Sequence, residues 1–73
     1  MNAPRDLAVG QPLTEREAAV MDRISRGDRY KDIEGELELT TSQVHYAIRC
    51  SLIKLGALTL AHGAVLHTQR RGP

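Results

Sequence analysis

The apolar residues of this chain recur at helical spacing and are almost all aliphatic. In the longest such run, Val44, Ala47, Ile48, Leu52 and Leu55 lie three or four positions apart, which places them in one stripe along a helix. The 73 residues include no Trp or Phe and only two Tyr, so the core has to be built from aliphatic side chains. No segment has the alternation typical of a strand. We therefore predict an all-α fold, a small domain of four helices.

Capping signals and glycines predict where the helices begin and end. Thr14 and Glu17 have the spacing of a capping box, so a first helix should start there and stop at Gly27. A second, short helix should run from about Tyr30 to Leu37, with Asp28 as its candidate cap.

The third helix should begin at one of three consecutive hydroxyl residues and end at Gly56, so that it occupies about Thr40 to Leu55. A fourth segment from about Thr59 to His67 again has apolar residues at helical spacing. The resulting organisation is a flexible arm over residues 1–12, a domain over 13–67 and a basic tail over 68–73.

Several classes of site are disfavoured by the composition. A single cysteine, Cys50, excludes an internal disulfide and a cysteine-based zinc site. His62 and His67 are five residues apart and do not share a helix face, so we expect no metal and no cofactor. Neither a nucleophile with its base nor a glycine-rich phosphate loop is present, which predicts that the protein is not an enzyme.

The start of the chain and its hydropathy bear on location. No apolar run approaches the roughly 18 residues of a membrane span. The segment Met1–Asp6 lacks the basic and apolar regions of a signal peptide. We expect a cytoplasmic protein associated with the nucleoid.

Charge is distributed unevenly along the sequence. Every Asp and Glu lies at or before Glu38, and the charged residues beyond it are Arg49, Lys54, Arg70 and Arg71. This asymmetry favours one face that meets an anion, as in nucleic-acid binders, although a short chain can also become polarised by chance.

Two short helices joined by a tight turn match the helix-turn-helix plan, in which the second helix of the pair reads DNA. The polar side of the third helix has only side chains that can form hydrogen bonds, and none of them is acidic. They are Ser42, Gln43, His45, Tyr46 and Arg49. Such side chains suit the base edges exposed in the major groove.

The motifs also carry a family resemblance. Leu13-Thr14-Glu15-Arg16-Glu17 looks like the Leu-Thr-x-Arg-Glu opening of LuxR/GerE DNA-binding domains. Further matches follow in register without a gap at Val20, Gly27, Lys31, Ile33, Leu37, Val44 and Lys54-Leu55-Gly56. The chain therefore resembles this family from about Leu13 to Val65.

The resemblance implies a function and a set of site residues. It implies a small bacterial or phage transcriptional regulator that binds double-stranded DNA, with the third helix in the major groove and the fourth supporting a homodimer. Base-reading positions are occupied by His45, Tyr46 and Arg49. Phosphate or groove-edge positions are occupied by Lys31, Thr40, Gln43 and Lys54. The implied dimer contacts are Leu60, Ala61, Ala64 and Val65.

The chain also departs from the family pattern. Ala47 stands where a phosphate-binding His is usual, Ser51 replaces an apolar core residue, and Glu38 occupies a turn position that often holds Gly. The second helix is acidic where relatives often have Arg. Its residues Asp32, Glu36 and Glu38 either face a protein partner or form a solvated surface.

Three functional hypotheses follow. The first is a DNA-binding regulator without a sensing domain, since only a short arm precedes Leu13. The second is a protein-binding module on the same scaffold, an antagonist or co-regulator of a transcription factor or RNA polymerase with weak or no DNA binding of its own. The third is a fragment resembling the promoter-reading region of a sigma factor.

Overall fold

The computed structural model describes residues 7–71 and is all-helical. The helices are α1 (Glu15–Ser25), α2 (Tyr30–Leu37), α3 (Thr41–Leu55) and α4 (Leu60–Arg71). No strand occurs within these described residues. The predicted small four-helix domain is thus confirmed.

Local capping chemistry starts α1 and α3. The Thr14 hydroxyl accepts a hydrogen bond from the Glu17 amide at 3.1 Å, and the Glu17 carboxylate accepts one from the Thr14 amide at 2.9 Å. Thr40 and Gln43 form the same reciprocal pair at the start of α3. Each pair satisfies two amides that the first turn leaves without a helical partner.

The start of α2 differs from the prediction. Its N-cap is Arg29, which makes no side-chain capping bond, and not Asp28. The Asp28 carboxylate is instead bound by the Arg26 guanidinium, with Nη2 and Oδ2 2.6 Å apart. A charged donor two residues away therefore competes successfully for the oxygen that a cap would need.

The first three helices end in the same way, with a left-handed residue and a bond from the following amide to a carbonyl five residues back. These residues are Gly27, Glu38 and Gly56. The closing bonds are Asp28 to Arg23, Leu39 to Glu34 and Ala57 to Leu52, at 2.9–3.0 Å. Glycine adopts this backbone freely, whereas Glu38 at φ 55° and ψ 46° does so at a cost of about 1–2 kcal/mol.

The core lies where α1, α2 and α3 meet. Val20, Met21, Ile33 and Val44 are fully buried, and burying each aliphatic side chain is worth about 1.5–3 kcal/mol. Partly buried residues surround them: Ile24, Leu37, Leu39, Leu52 and Leu60. Ser51 is also fully buried. Its hydroxyl donates to the Ala47 carbonyl at 2.7 Å, so this buried polar group has a hydrogen-bond partner.

Helix α4 packs against α1 and α3. The imidazole of His67, 5% exposed, lies 2.7 Å from the Asp22 carboxylate of α1. Gly63 is buried so close to Leu52 that a Cβ atom there would collide with the leucine side chain. The helix continues through Arg71, so the predicted boundary between domain and basic tail falls inside α4. Residues 72 and 73 lie outside the described part.

The second half of the predicted N-terminal arm contacts the helices. The Gly10 amide donates to the Lys54 carbonyl at 2.7 Å, and the Arg70 guanidinium donates to the Gln11 carbonyl at 3.1 Å. These bonds join residues 7–12 to the ends of α3 and α4. Residues 1–6 of the arm lie outside the described residues.

Within residues 7–71, no single helix has both the length and the apolar character needed to cross a membrane. Helices α3 and α4 would meet those criteria only as a pair, and they are bent by 65° at the break between them.

Candidate nucleic-acid interface

One face of α3 is exposed and polar along its first three turns. Ser42, His45, Tyr46 and Arg49 are exposed, and their spacing of three, one and three residues places them on the same side of the helix. The opposite side, which includes Val44 and Ile48, is buried in the core. The structure thus brings together the three predicted base-reading residues His45, Tyr46 and Arg49.

Packing adds an arginine that sequence reasoning did not place in the site. Arg16, in the first turn of α1, lines the same groove as Arg49 of α3. The two positions are 33 residues apart, and no local signal links them, because only the docking of α1 on α3 brings them together. The lining of this groove, which we call the α1–α3 groove, consists of Thr14, Arg16, Glu17, Ser42, Gln43, Tyr46, Ala47 and Arg49.

Thr40 and Gln43 retain donors despite their capping role. The capping box uses the Thr40 oxygen and the Gln43 carbonyl oxygen as acceptors. The hydroxyl hydrogen of Thr40 and the amide NH2 of Gln43 are not consumed by it. Both residues are exposed, so both remain able to donate to an anion at the start of α3.

Tyr46 remains a neutral phenol. Interaction with the Cys50 thiol, and secondarily desolvation, raise the pKa of Tyr46 above the usual value of 10.0. A phenol keeps its proton at neutral pH even at the usual value, so Tyr46 can both donate and accept. Cys50 itself is 2% exposed, which agrees with a packing role.

A tyrosine from α2 supports the ring of His45. Tyr30 and His45 meet edge to face, with centroids 5.6 Å apart and an interplanar angle of 67°. This contact restricts the imidazole on the side of α3 that faces α2. No sequence pattern marks Tyr30, because its nearness to His45 arises from the crossing of the two helices.

Lys54 does not belong to the exposed surface. The residue is 9% exposed, and its ammonium donates to the Glu17 carboxylate at 2.8 Å. It follows Ala47 by seven residues and Ser51 by three, so the helical phase puts it on the buried side of α3. The predicted phosphate contact at Lys54 is therefore corrected to a buried ion pair between α1 and α3. Lys31, the other predicted lysine, is exposed at the start of α2.

The acidic residues of α2 do not form a uniform negative face. Asp32, Glu36 and Glu38 are all exposed. Glu36, however, accepts from Arg23 Nε at 2.8 Å and lies 3.5 Å from Arg26 Nη2. The surface around α2 thus carries both signs of charge.

The predicted dimer residues on α4 divide into two sets. Ala61 and Val65 are exposed, Val65 by 54%. Leu60 packs against the core, and Ala64 is half-buried. Leu58, 94% exposed just before α4, adds an apolar side chain near the exposed set.

Histidines and carboxylates do not gather into a metal site within residues 7–71. No three His, Cys, Asp or Glu side chains of this part of the chain are placed to hold an ion. His62 is exposed, and His67 is buried against Asp22.

No protein-family model matches this chain, and no curated protein or solved structure has a detectable similarity to it. The likeness to LuxR/GerE domains therefore depends on the sequence motifs alone.

Proposed function

We propose that this chain binds double-stranded DNA by inserting the exposed face of α3 into the major groove, as a small transcriptional regulator of the LuxR/GerE type. The observation that carries the proposal is the composition of that face. Ser42, His45, Tyr46 and Arg49 are all exposed and able to form hydrogen bonds, and none is a carboxylate. An acidic side chain at such a position would repel the phosphates on either side of the groove.

Each polar residue has a chemically suitable role in this proposal. Arg49 has the planar, forked guanidinium that bonds the O6 and N7 atoms of guanine, the commonest specific contact in the major groove. His45, restricted by Tyr30, and Tyr46, whose phenol can donate and accept, contact neighbouring base edges. Lys31, Thr40 and Gln43 contact phosphates and fix the register.

Affinity is expected to depend on a second copy of the protein. The salt dependence of binding grows with the number of phosphates neutralised, and the burial of Lys54 leaves few lysines and arginines near α3. A homodimer doubles these contacts on a two-fold symmetric site. In this proposal the copies meet through the exposed residues Leu58, Ala61 and Val65 rather than through all four predicted α4 positions.

A selection from random duplexes tests the proposal. The protein is incubated with a library of random double-stranded DNA at low salt, and the bound fraction is sequenced over successive rounds. We expect enrichment of one short motif, and loss of its most selective position when Arg49→Ala is used. Absence of any enriched motif, together with salt-independent failure to bind, would favour the protein-binding module instead.

A further inference from the structure

The α1–α3 groove contains two arginines that come from different helices. Arg16 projects from the first turn of α1 and Arg49 from the exposed face of α3, and both line a groove of about 630 Å³. Both side chains belong to exposed residues. The groove thus collects two positive charges at the edge of the face that we propose enters DNA.

Neither arginine is neutralised by the described residues. Among the side chains that the structure describes, Arg23 is bound to Glu36 and Arg26 to Asp28 and Glu36, whereas Arg16 and Arg49 form no ion pair. The only carboxylate in the lining of the groove, Glu17, is already bound by the Lys54 ammonium at 2.8 Å and the Thr14 amide at 2.9 Å. Two like charges on one concave surface repel each other, and an anion bound in the groove relieves that repulsion.

The remaining lining is also suited to an anion. Thr14, Ser42, Gln43 and Tyr46 each have a side-chain donor. The groove includes the first turn of α3, which holds no acidic residue, so the positive end of that helix dipole adds to the arginine charges.

We propose that the α1–α3 groove receives one backbone phosphate of the DNA duplex, and that Arg16 is its principal ligand. This inference rests on the proposed function, because the phosphate comes from the strand that borders the major groove occupied by α3. Arg49 stays directed to the bases, while Arg16 binds the strand that passes over the first turn of α1. Arg16 would therefore set affinity and register without reading sequence.

The test compares three variants on two duplexes by fluorescence anisotropy over a range of salt concentrations. The duplexes are the site enriched by selection and a scrambled sequence of equal length. The variants are Arg16→Ala, Arg16→Lys, which keeps the charge, and Arg26→Ala, which removes the same formal charge from the far end of α1. Circular dichroism checks that each variant retains its helices.

We expect Arg16→Ala to weaken binding to both duplexes by the same factor, about 10-fold, as for loss of one charged hydrogen bond. The slope of log K against log salt should become shallower by about 0.9, the contribution of one phosphate. Arg16→Lys should restore the slope, and Arg26→Ala should leave it unchanged.

Three results would overturn the inference. If the wild type prefers its selected site and Arg16→Ala has the same slope of log K against log salt as Arg26→Ala, Arg16 does not bind a phosphate, while the proposed function stands. If Arg16→Ala alters the preferred base, Arg16 reads sequence and does not bind a phosphate. If the wild type shows no sequence-dependent binding to duplex DNA, the proposed function fails and the inference fails with it.

Discussion

Replacing Lys54 by Met should destabilise the domain far more than a surface substitution does. The side chains of Lys54 and Glu17 are 11% and 10% exposed, and their charged atoms are 2.8 Å apart. Removing one partner of a buried ion pair costs about 3–5 kcal/mol, because the other charge stays buried without compensation. Each side chain here keeps a tenth of its surface in contact with solvent, so we expect about 3 kcal/mol.

That cost is large for a chain of this size. At about 0.05–0.15 kcal/mol per residue, 73 residues give a free energy of unfolding of about 4 to 11 kcal/mol. The double variant Glu17→Gln with Lys54→Met should lose less than the Lys54→Met variant. Gln can still accept from the Thr14 amide, as capping boxes allow, and no buried charge remains. We expect a coupling energy of about 2 kcal/mol between the two sites.

Urea unfolding followed by helical circular dichroism measures both quantities. Lys31→Met is the matched control, since it makes the same chemical change at an exposed position and should stay within about 0.5 kcal/mol of the wild type. A buried ion pair is contradicted if Lys54→Met unfolds at the same urea concentration as the control, or if the effects of Glu17→Gln and Lys54→Met are additive.

Three further substitutions or conditions test other parts of the fold. Glu38→Gly should stabilise the domain by about 1 kcal/mol and raise Tm by about 4 °C or more, because glycine adopts the left-handed backbone without strain. A lower Tm of the variant in thermal unfolding would contradict this expectation. His67→Ala should destabilise the domain by about 2–3 kcal/mol, since a buried ring and its 2.7 Å bond to Asp22 are lost. Urea unfolding at the wild-type concentration would contradict the packing of α4 against α1. The hydrogen bond from Arg26 lowers the pKa of Asp28 below 3.8. This pair therefore stabilises the fold above pH 3.8, and its contribution is lost as the pH falls through the lowered pKa. NMR titration of Asp28 should show the lowered pKa, and Arg26→Gln should bring that pKa back toward 3.8.

The features that sequence reasoning predicted correctly are local ones. The capping box at Thr14 and the glycines at 27 and 56 act within one helical turn, so a few neighbouring residues determine them. For α3 the sequence offered three consecutive hydroxyl residues as caps, and the reciprocal bond of Gln43 with Thr40 was not predicted. The exposed face of α3 follows from helical phase once the apolar stripe is recognised. The Asp28 cap failed because Arg26 competes for the same carboxylate, an interaction that helix propensity does not include.

The parts that were missed depend on residues far apart in the chain. Lys54 meets Glu17 across 37 residues, His67 meets Asp22 across 45, and Arg16 reaches the groove of Arg49 only when α1 docks on α3. For Lys54 a signal existed, since it falls in phase with Ala47 and Ser51 on the buried side. For Arg16 and Tyr30 no local pattern marks a role in the site.

The most direct test of DNA reading by α3 is the ratio of affinities for the selected duplex and a scrambled one, measured at physiological salt for the wild type and Arg49→Ala. We expect a wild-type ratio of about 10³ or more, which Arg49→Ala reduces by about 10-fold or more because one bidentate base contact is lost. Equal affinities of the wild type for the two duplexes, or an unchanged ratio in Arg49→Ala, would contradict DNA reading by α3.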